Sequence, residues 1–170
     1  MARSGVPVTV RARAAVAPER AFDVIVPIDL PRIFTGLGPL PAVTGTREQT
    51  GAWDHVDATR VVELADGTEA RERLTLHERP DRFAYHVGPF TGPLRHLVDG
   101  ADGAWWFAPA GGDGGPATAV TWTYTFRPRG LARPLVLVAV APLWRAYAHR
   151  ALERAVAAAE GRLDDARARA

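Results

Sequence analysis

Residues 58–76 read ATRVVELADGTEARERLTL. Asp66-Gly67 is a two-residue turn signal between two runs of strand character, which predicts a β-hairpin with strands at 59–65 and 69–79. Strand side chains alternate between faces. On that period Arg60, Val62 and Leu64 share one side of the first strand. Ala70, Glu72, Leu74 and Leu76 share one side of the second. The apolar face of the hairpin therefore carries an arginine and a glutamate, and a charge in a dry core is expensive unless paired. Three readings stand open: a structural salt bridge at the sheet rim, a bulge that slips the alternation by one, or a charge pair lining a concave, partly wet interior.

Outward from the hairpin the pattern stays strand-rich. Val6, Val8, Val10, Ala12, Ala14 and Val16 alternate with Pro7, Thr9, Arg11, Arg13 and Ala15, a long one-faced strand. Pro18 with Glu19 starts a short helix that Pro27 limits, and Asp29 with Pro31 starts a second, very short one. GLGPLPAV at 36–43 is a loop, VTGTREQT at 43–50 a weakly hydrophobic strand, and GAWDHVD at 51–57 irregular. Beyond the hairpin, Pro80-Asp81 turns into the strand RFAYHV at 82–87. The stretch 88–103 fits either an interrupted strand or a loop over an opening. AWWFAP at 104–109 is a strand whose Trp105 and Trp106 face opposite sides, and AGGDGGP is a loop. TAVTWTYTFRPR at 118–129 puts Val120, Trp122, Tyr124 and Phe126 on one face. From about Pro134 to Glu160, a helical face gathers Leu137, Trp144, Ala148, Leu152, Ala155 and Ala159. Pro142 kinks that helix or marks its true start, and Gly161 stops it.

The chain of 170 residues suits one domain, placed at 1–160, with 161–170 expected to fray as a tail. All 21 basic residues are arginine, scattered among 19 acids, and the net charge of +2 gives no basic tract for nucleic acid. Without cysteine there is no disulfide, thiolate nucleophile or Cys metal site. The five histidines show no HxH or HExxH spacing, so neither a metal nor a cofactor is expected. The only serine, Ser4, sits in the N-terminal region outside any GxSxG elbow, which removes serine-hydrolase chemistry. No leader-type run opens the chain, and the longest apolar stretch, 134–144, is too short to span a bilayer. A cytoplasmic protein with no membrane insertion is the expectation; oligomeric state is not legible.

The order strand, two short helices, about six strands, long terminal helix resembles the START/Bet v 1-like (SRPBCC) superfamily. Within it the chain is similar to the polyketide cyclase/dehydrase and lipid-transport group. The features that carry the resemblance are VAPERAFDVIV after the first strand, TRVVELADGTEARERL, VTWTYTFRPR and the terminal helix. It implies an α+β helix-grip fold, a curved antiparallel sheet around the C-terminal helix, with an internal cavity for an apolar or aromatic molecule. It also leads one to expect glycine in the loop where Asp57 stands. Function divides three ways: binding of a small hydrophobic or aromatic ligand, a polyketide cyclase/dehydrase-like enzyme with an acid–base group in the cavity, or a structural protein whose cavity has closed. For catalysis the candidates are Glu72, His55 and Asp54, a carboxylate and an adjacent acid–base pair. His86 and Tyr124 also belong to the acid–base set. Candidate ligand contacts are Arg60, Glu72, His86, Trp122, Tyr124, Trp144, Tyr147 and Ala148.

Overall fold

The computed structural model describes residues 5–111 and 114–163. Seven strands, β1 (Val6–Ala14), β2 (Val43–Arg47), β3 (Thr59–Leu64), β4 (Glu69–Glu78), β5 (Arg82–Phe90), β6 (Val98–Pro109) and β7 (Thr118–Pro128), form one antiparallel sheet. The order is β1-β7-β6-β5-β4-β3-β2, so the first strand closes against the last and the rest form a meander. Helix α1 (Pro18–Ile25) and a 3-10 turn at Leu30–Arg32 follow β1. After β7 come a single turn α2 (Arg133–Leu135), a π-helical turn at Val136–Val140, and the long helix α3 (Ala141–Ala159). This is the helix-grip architecture: the sheet curves around α3.

Alternation decides which strand faces turn inward. In β7, Val120, Trp122, Tyr124 and Phe126 are all buried, while the threonines between them are partly open. Val6, Val8 and Val10 of β1 pack beside them in register, Val8 opposite Tyr124 and Val10 opposite Trp122. Helix α3 meets this face mainly with small residues: Ala148, Ala151, Ala155 and Ala159 are each at most 1% accessible, as is the larger Leu152. Alanine lets the helix axis approach the sheet closely and leaves bulk to the aromatic strands. Polar ties fix the helix along its length. Arg154 Nε donates to the Arg32 carbonyl at 2.8 Å, the Tyr147 hydroxyl to the Pro41 carbonyl at 2.7 Å, and Arg20 Nε to the Ala159 carbonyl at 3.3 Å. Gly161, at φ +77°, takes the left-handed conformation that ends α3.

Several details depart from the alternation read off the sequence. The helical face was expected to include Leu137, yet Leu137 is 45% accessible and Val136 is fully buried. The π turn at 136–140 holds an extra residue, so the register of the face slips before Pro142, in the first turn of α3. Strict alternation from Glu72, Leu74 and Leu76 would put His77 on the outer face. A bulge between Leu74 and Leu76 reverses the alternation, so His77 pairs with Phe83 and meets the Phe22 ring edge-on at 5.2 Å. The ambiguous stretch 88–103 resolves into the end of β5, a 3-10 turn at Pro93–His96, and the first half of β6. The expected AGGDGGP loop and the frayed tail fall partly, and from residue 164 wholly, outside the described residues.

Candidate functional site

Between the concave face of the sheet and α3 lies a cavity of about 370 Å³. Its wall takes Trp105, Trp122 and Tyr124 from the centre of the sheet, Phe83, Tyr85 and Val87 from β5, and Val62 with Ala70 from the hairpin. Ile33, Phe34 and Pro41 close it from the loop after α1, and Val140, Leu143, Trp144 and Tyr147 from the terminal helix. Exposed Pro39, Asp66, Thr91 and Pro93 also belong to the wall and mark where it reaches the surface. The aromatic rings form a continuous shell. Trp105 and Trp122 stack at 4.6 Å between centroids, Trp144 tilts over Tyr124 at 4.5 Å, and Phe34 meets Trp122 edge-on at 6.1 Å. Such rings give large, rigid contact area at small conformational cost.

Arg60 and Glu72 are direct cross-strand neighbours, and Arg60 Nε donates to Glu72 Oε2 at 2.7 Å. Both side chains are buried, at 8% and 11% accessible, and both belong to the cavity wall. The charges therefore do form a salt bridge, but it lies buried in the cavity wall and not at the sheet rim. The Arg60 guanidinium also lies 4.0 Å from the Trp53 ring centroid, a cation–π contact that holds its planar group against the wall. Glu72 Oε1 and the Arg60 Nη groups make no hydrogen bond among the described residues. The pair thus presents both an acceptor and donors, with no net charge.

Three further donors are left over. The indole N–H groups of Trp105, Trp122 and Trp144 are buried without a hydrogen-bond partner among the described residues. A buried donor without a partner costs about 1–3 kcal/mol, so each is an incentive for an acceptor nearby. Trp105 and Trp122 lie toward the Tyr85 phenol, outside hydrogen-bond geometry but close enough to favour charge on its oxygen. Burial outweighs them: it raises the Tyr85 pKa well above the ordinary phenol value, and the Glu72 carboxylate adds to the rise. Tyr124 is raised in the same way, by burial first and then by Tyr85 and Glu72. Both phenols therefore stay protonated and act as neutral donors. Tyr85 lies flat on Gly103, its cross-strand neighbour: a Cβ at that position would sit 2.2 Å from the ring carbon Cζ. Glycine at 103 is what leaves room for the ring.

The sequence-derived residues distribute as follows. Arg60, Glu72, Trp122, Tyr124, Trp144 and Tyr147 all line the cavity. The Tyr147 hydroxyl is already engaged with Pro41, so it contributes mainly its ring. Ala148 is buried at 1% in the α3–sheet contact and is not part of the wall. His86 faces the other side of β5, where its Nδ1 lies 2.9 Å from Asp102, itself bound by Arg127. Asp54 and His55 bond to each other at 2.9 Å in the loop, with side chains 65% and 56% accessible, and neither lines the cavity. Their neighbour Trp53 turns inward instead. Asp57 adopts φ +70°, the conformation that favours glycine at this place in the loop. Tyr85, Phe83, Trp105, Trp53 and Phe34 also line the cavity and were not among the candidate residues. The alternation of Phe83, Tyr85 and Val87 against His86 was the available signal for the first two. Among the described residues, no group of three or more His, Asp or Glu side chains could hold a metal ion.

Comparison with known proteins agrees with this architecture. The XoxI protein of Bacillus cereus superposes with a TM-score of 0.62 at 16% identity, covering 90% of this chain and 94% of its own. An uncharacterised protein of Bacillus thuringiensis gives 0.60 at 16% identity, covering 86% of this chain and 96% of its own. At that identity the likeness speaks for the fold. No curated protein matches the chain. The family model described as polyketide cyclase / dehydrase and lipid transport matches residues 6–160, from the first strand to the end of the terminal helix, and the chain belongs to that family.

Proposed function

We propose that the protein binds a small hydrophobic or aromatic molecule bearing at least one oxygen, held in the cavity between sheet and α3. The observation that carries this reading is the cavity of about 370 Å³ walled by aromatic rings with a neutralised charge pair in its side. Ring faces supply contact area, and Tyr85, Tyr124 and the Arg60–Glu72 pair supply direction. An acceptor oxygen near Trp105 and Trp122 would also relieve their unpartnered N–H groups. Among the described residues no cation other than Arg60 lines the wall, and Glu72 already holds it, so a carboxylate head would find no further counter-ion there. The test is titration with the neutral fluorophore N-phenyl-1-naphthylamine. One-to-one uptake is expected, lost in Ala70→Phe, which fills the wall beside Val62; no uptake, or uptake indifferent to Ala70→Phe, would sink the reading.

A second reading has one observation in its favour. Glu72 keeps one carboxylate oxygen without a partner in the wall, close enough to the Tyr85 and Tyr124 phenols to raise both. A carboxylate and two protonated phenols around one apolar space suit proton transfer at carbon next to a carbonyl, the chemistry of a polyketide cyclase/dehydrase-like enzyme. Asp54 and His55 would serve that chemistry only after a movement of their loop. Turnover of a polyketone by the native protein, abolished in Glu72→Gln with binding retained, would establish it. Turnover unaffected by Glu72→Gln would remove Glu72 from the role, and binding without turnover leaves the carrier reading.

A further inference from the structure

Six large apolar side chains are exposed among the described residues, and four of them fall within eight consecutive positions. Leu131, Leu135, Leu137 and Val138 are 96%, 47%, 45% and 75% accessible. Single exposed hydrophobes are ordinary, whereas a concentrated run marks an interaction face. Helix α2 buries none of its residues, and the π turn buries only Val136. The register slip in that turn is what directs Leu137 and Val138 outward.

The uncompensated charge beside this face is basic. From Thr118 to Leu152 the chain holds five arginines and no aspartate or glutamate. Arg127 and Arg129 are paired with Asp102 and Asp99 of β6, at 2.6 and 3.0 Å. Arg133, inside the apolar run, has no acidic partner among the described residues. Arg95 Nε bonds to His96 Nε2 at 3.2 Å and has no acidic partner among the described residues. Its turn, Pro93–His96, sits beside the run, because the Arg129 amide donates to the Leu97 carbonyl at 2.8 Å. The face also adjoins the cavity. Pro93, Leu94 and Leu97 line it from that turn, and Val140, Leu143 and Trp144 line it from the chain that follows Val138.

We propose that this face docks the protein peripherally on an anionic lipid bilayer, with Leu131, Leu135 and Val138 among the headgroups and Arg133 and Arg95 against lipid phosphates. Exposed aliphatic side chains next to unpaired arginines are the two components of interfacial binding. No described helix is long and apolar enough to cross a membrane, so the contact is a docking and not a span. A second copy fits less well: two such faces brought together would oppose arginine to arginine. The proposal does not depend on the cavity's occupant, and its test uses ligand-free protein.

The experiment is co-sedimentation with vesicles of phosphatidylcholine, alone or with about one-third phosphatidylglycerol. Binding is expected to the anionic vesicles, and to fall as salt rises. Leu131→Asp combined with Val138→Asp should weaken it at least about tenfold, and Arg133→Glu about fivefold or more. Arg133 is exposed, so its variant folds and keeps the test valid should the double variant misfold. No binding to anionic vesicles, equal binding to both vesicle types, or binding unchanged in Arg133→Glu would overturn the proposal. So would a wild-type dimer that the double variant turns into a monomer in sedimentation equilibrium, since the occupant is then a second copy.

Discussion

Removing one member of the Arg60–Glu72 pair has a cost that can be worked from its surroundings. The two side chains are 8% and 11% accessible and joined at 2.7 Å, so neither has bulk water to fall back on. Breaking a buried pair costs about 3–5 kcal/mol, because the survivor is left uncompensated. Glu72→Leu should fall at the lower end, about 3 kcal/mol, since Arg60 keeps its contact with the Trp53 ring at 4.0 Å. Arg60→Met should fall higher, about 4 kcal/mol, because it strands the Glu72 carboxylate and loses that ring contact as well. The double variant removes both charges and should lie within about 2 kcal/mol of the native protein. The coupling in the double-mutant cycle is then about 5 kcal/mol or more. Urea denaturation of the four proteins at neutral pH reads these values, provided the slopes agree. Single variants that each cost under about 1 kcal/mol, with no coupling, are the behaviour of a solvent-exposed ion pair. That result would refute the placement of the pair in a secluded wall.

Leu152→Ala removes a fully buried side chain at the α3–sheet contact and should cost roughly 2–5 kcal/mol in the same assay; a cost below about 1 kcal/mol would mean that α3 is not gripped there. The raised pKa values of Tyr85 and Tyr124 link folding to alkaline pH. The folded state holds those protons more tightly than the unfolded chain, so their contribution is complete below about pH 10 and is lost as pH rises from there through the folded values. The melting temperature should therefore fall above about pH 10, and less steeply in Tyr85→Phe; identical profiles would place Tyr85 in water. Gly103→Ala should push the Tyr85 ring off the strand and into the cavity, where a Cβ would otherwise meet Cζ at 2.2 Å. Fluorophore uptake is expected to drop about tenfold or more with the fold retained, and unchanged uptake would mean that Tyr85 does not border the binding space.

Most of the architecture was legible because alternation is a strong signal wherever one face is buried. The runs Val6–Ala14 and Val120–Phe126 gave their inward faces directly, and Asp66-Gly67 gave the hairpin. Legibility failed where a single inserted residue changed the phase. The bulge near Thr75 turned His77 inward, and the π turn turned Leu137 outward; neither leaves a mark in composition. The site was legible in its charge pair, since Arg60 and Glu72 violated the pattern of their own face. It was less legible in its aromatic wall. Phe34 and Trp53 come from irregular loops, where no period says which way a ring points. Asp54 and His55 looked chemical as a pair, and they do bond to each other, but on the exposed side of the loop, while Trp53 takes the inward position. Within the exposed run, Leu137 reads as part of the helical core because apolar residues at helical spacing ordinarily are.

The central claim is that an apolar molecule enters the space between sheet and α3 and not the exposed face beside it. Intermolecular nuclear Overhauser effects between N-phenyl-1-naphthylamine and methyl-labelled protein decide this directly. The account predicts contacts from the bound fluorophore to the methyl groups of Val62, Val87 and Leu143, all of which line the cavity. Contacts confined to Leu131, Leu135 and Val138, with the cavity methyls silent, would contradict it.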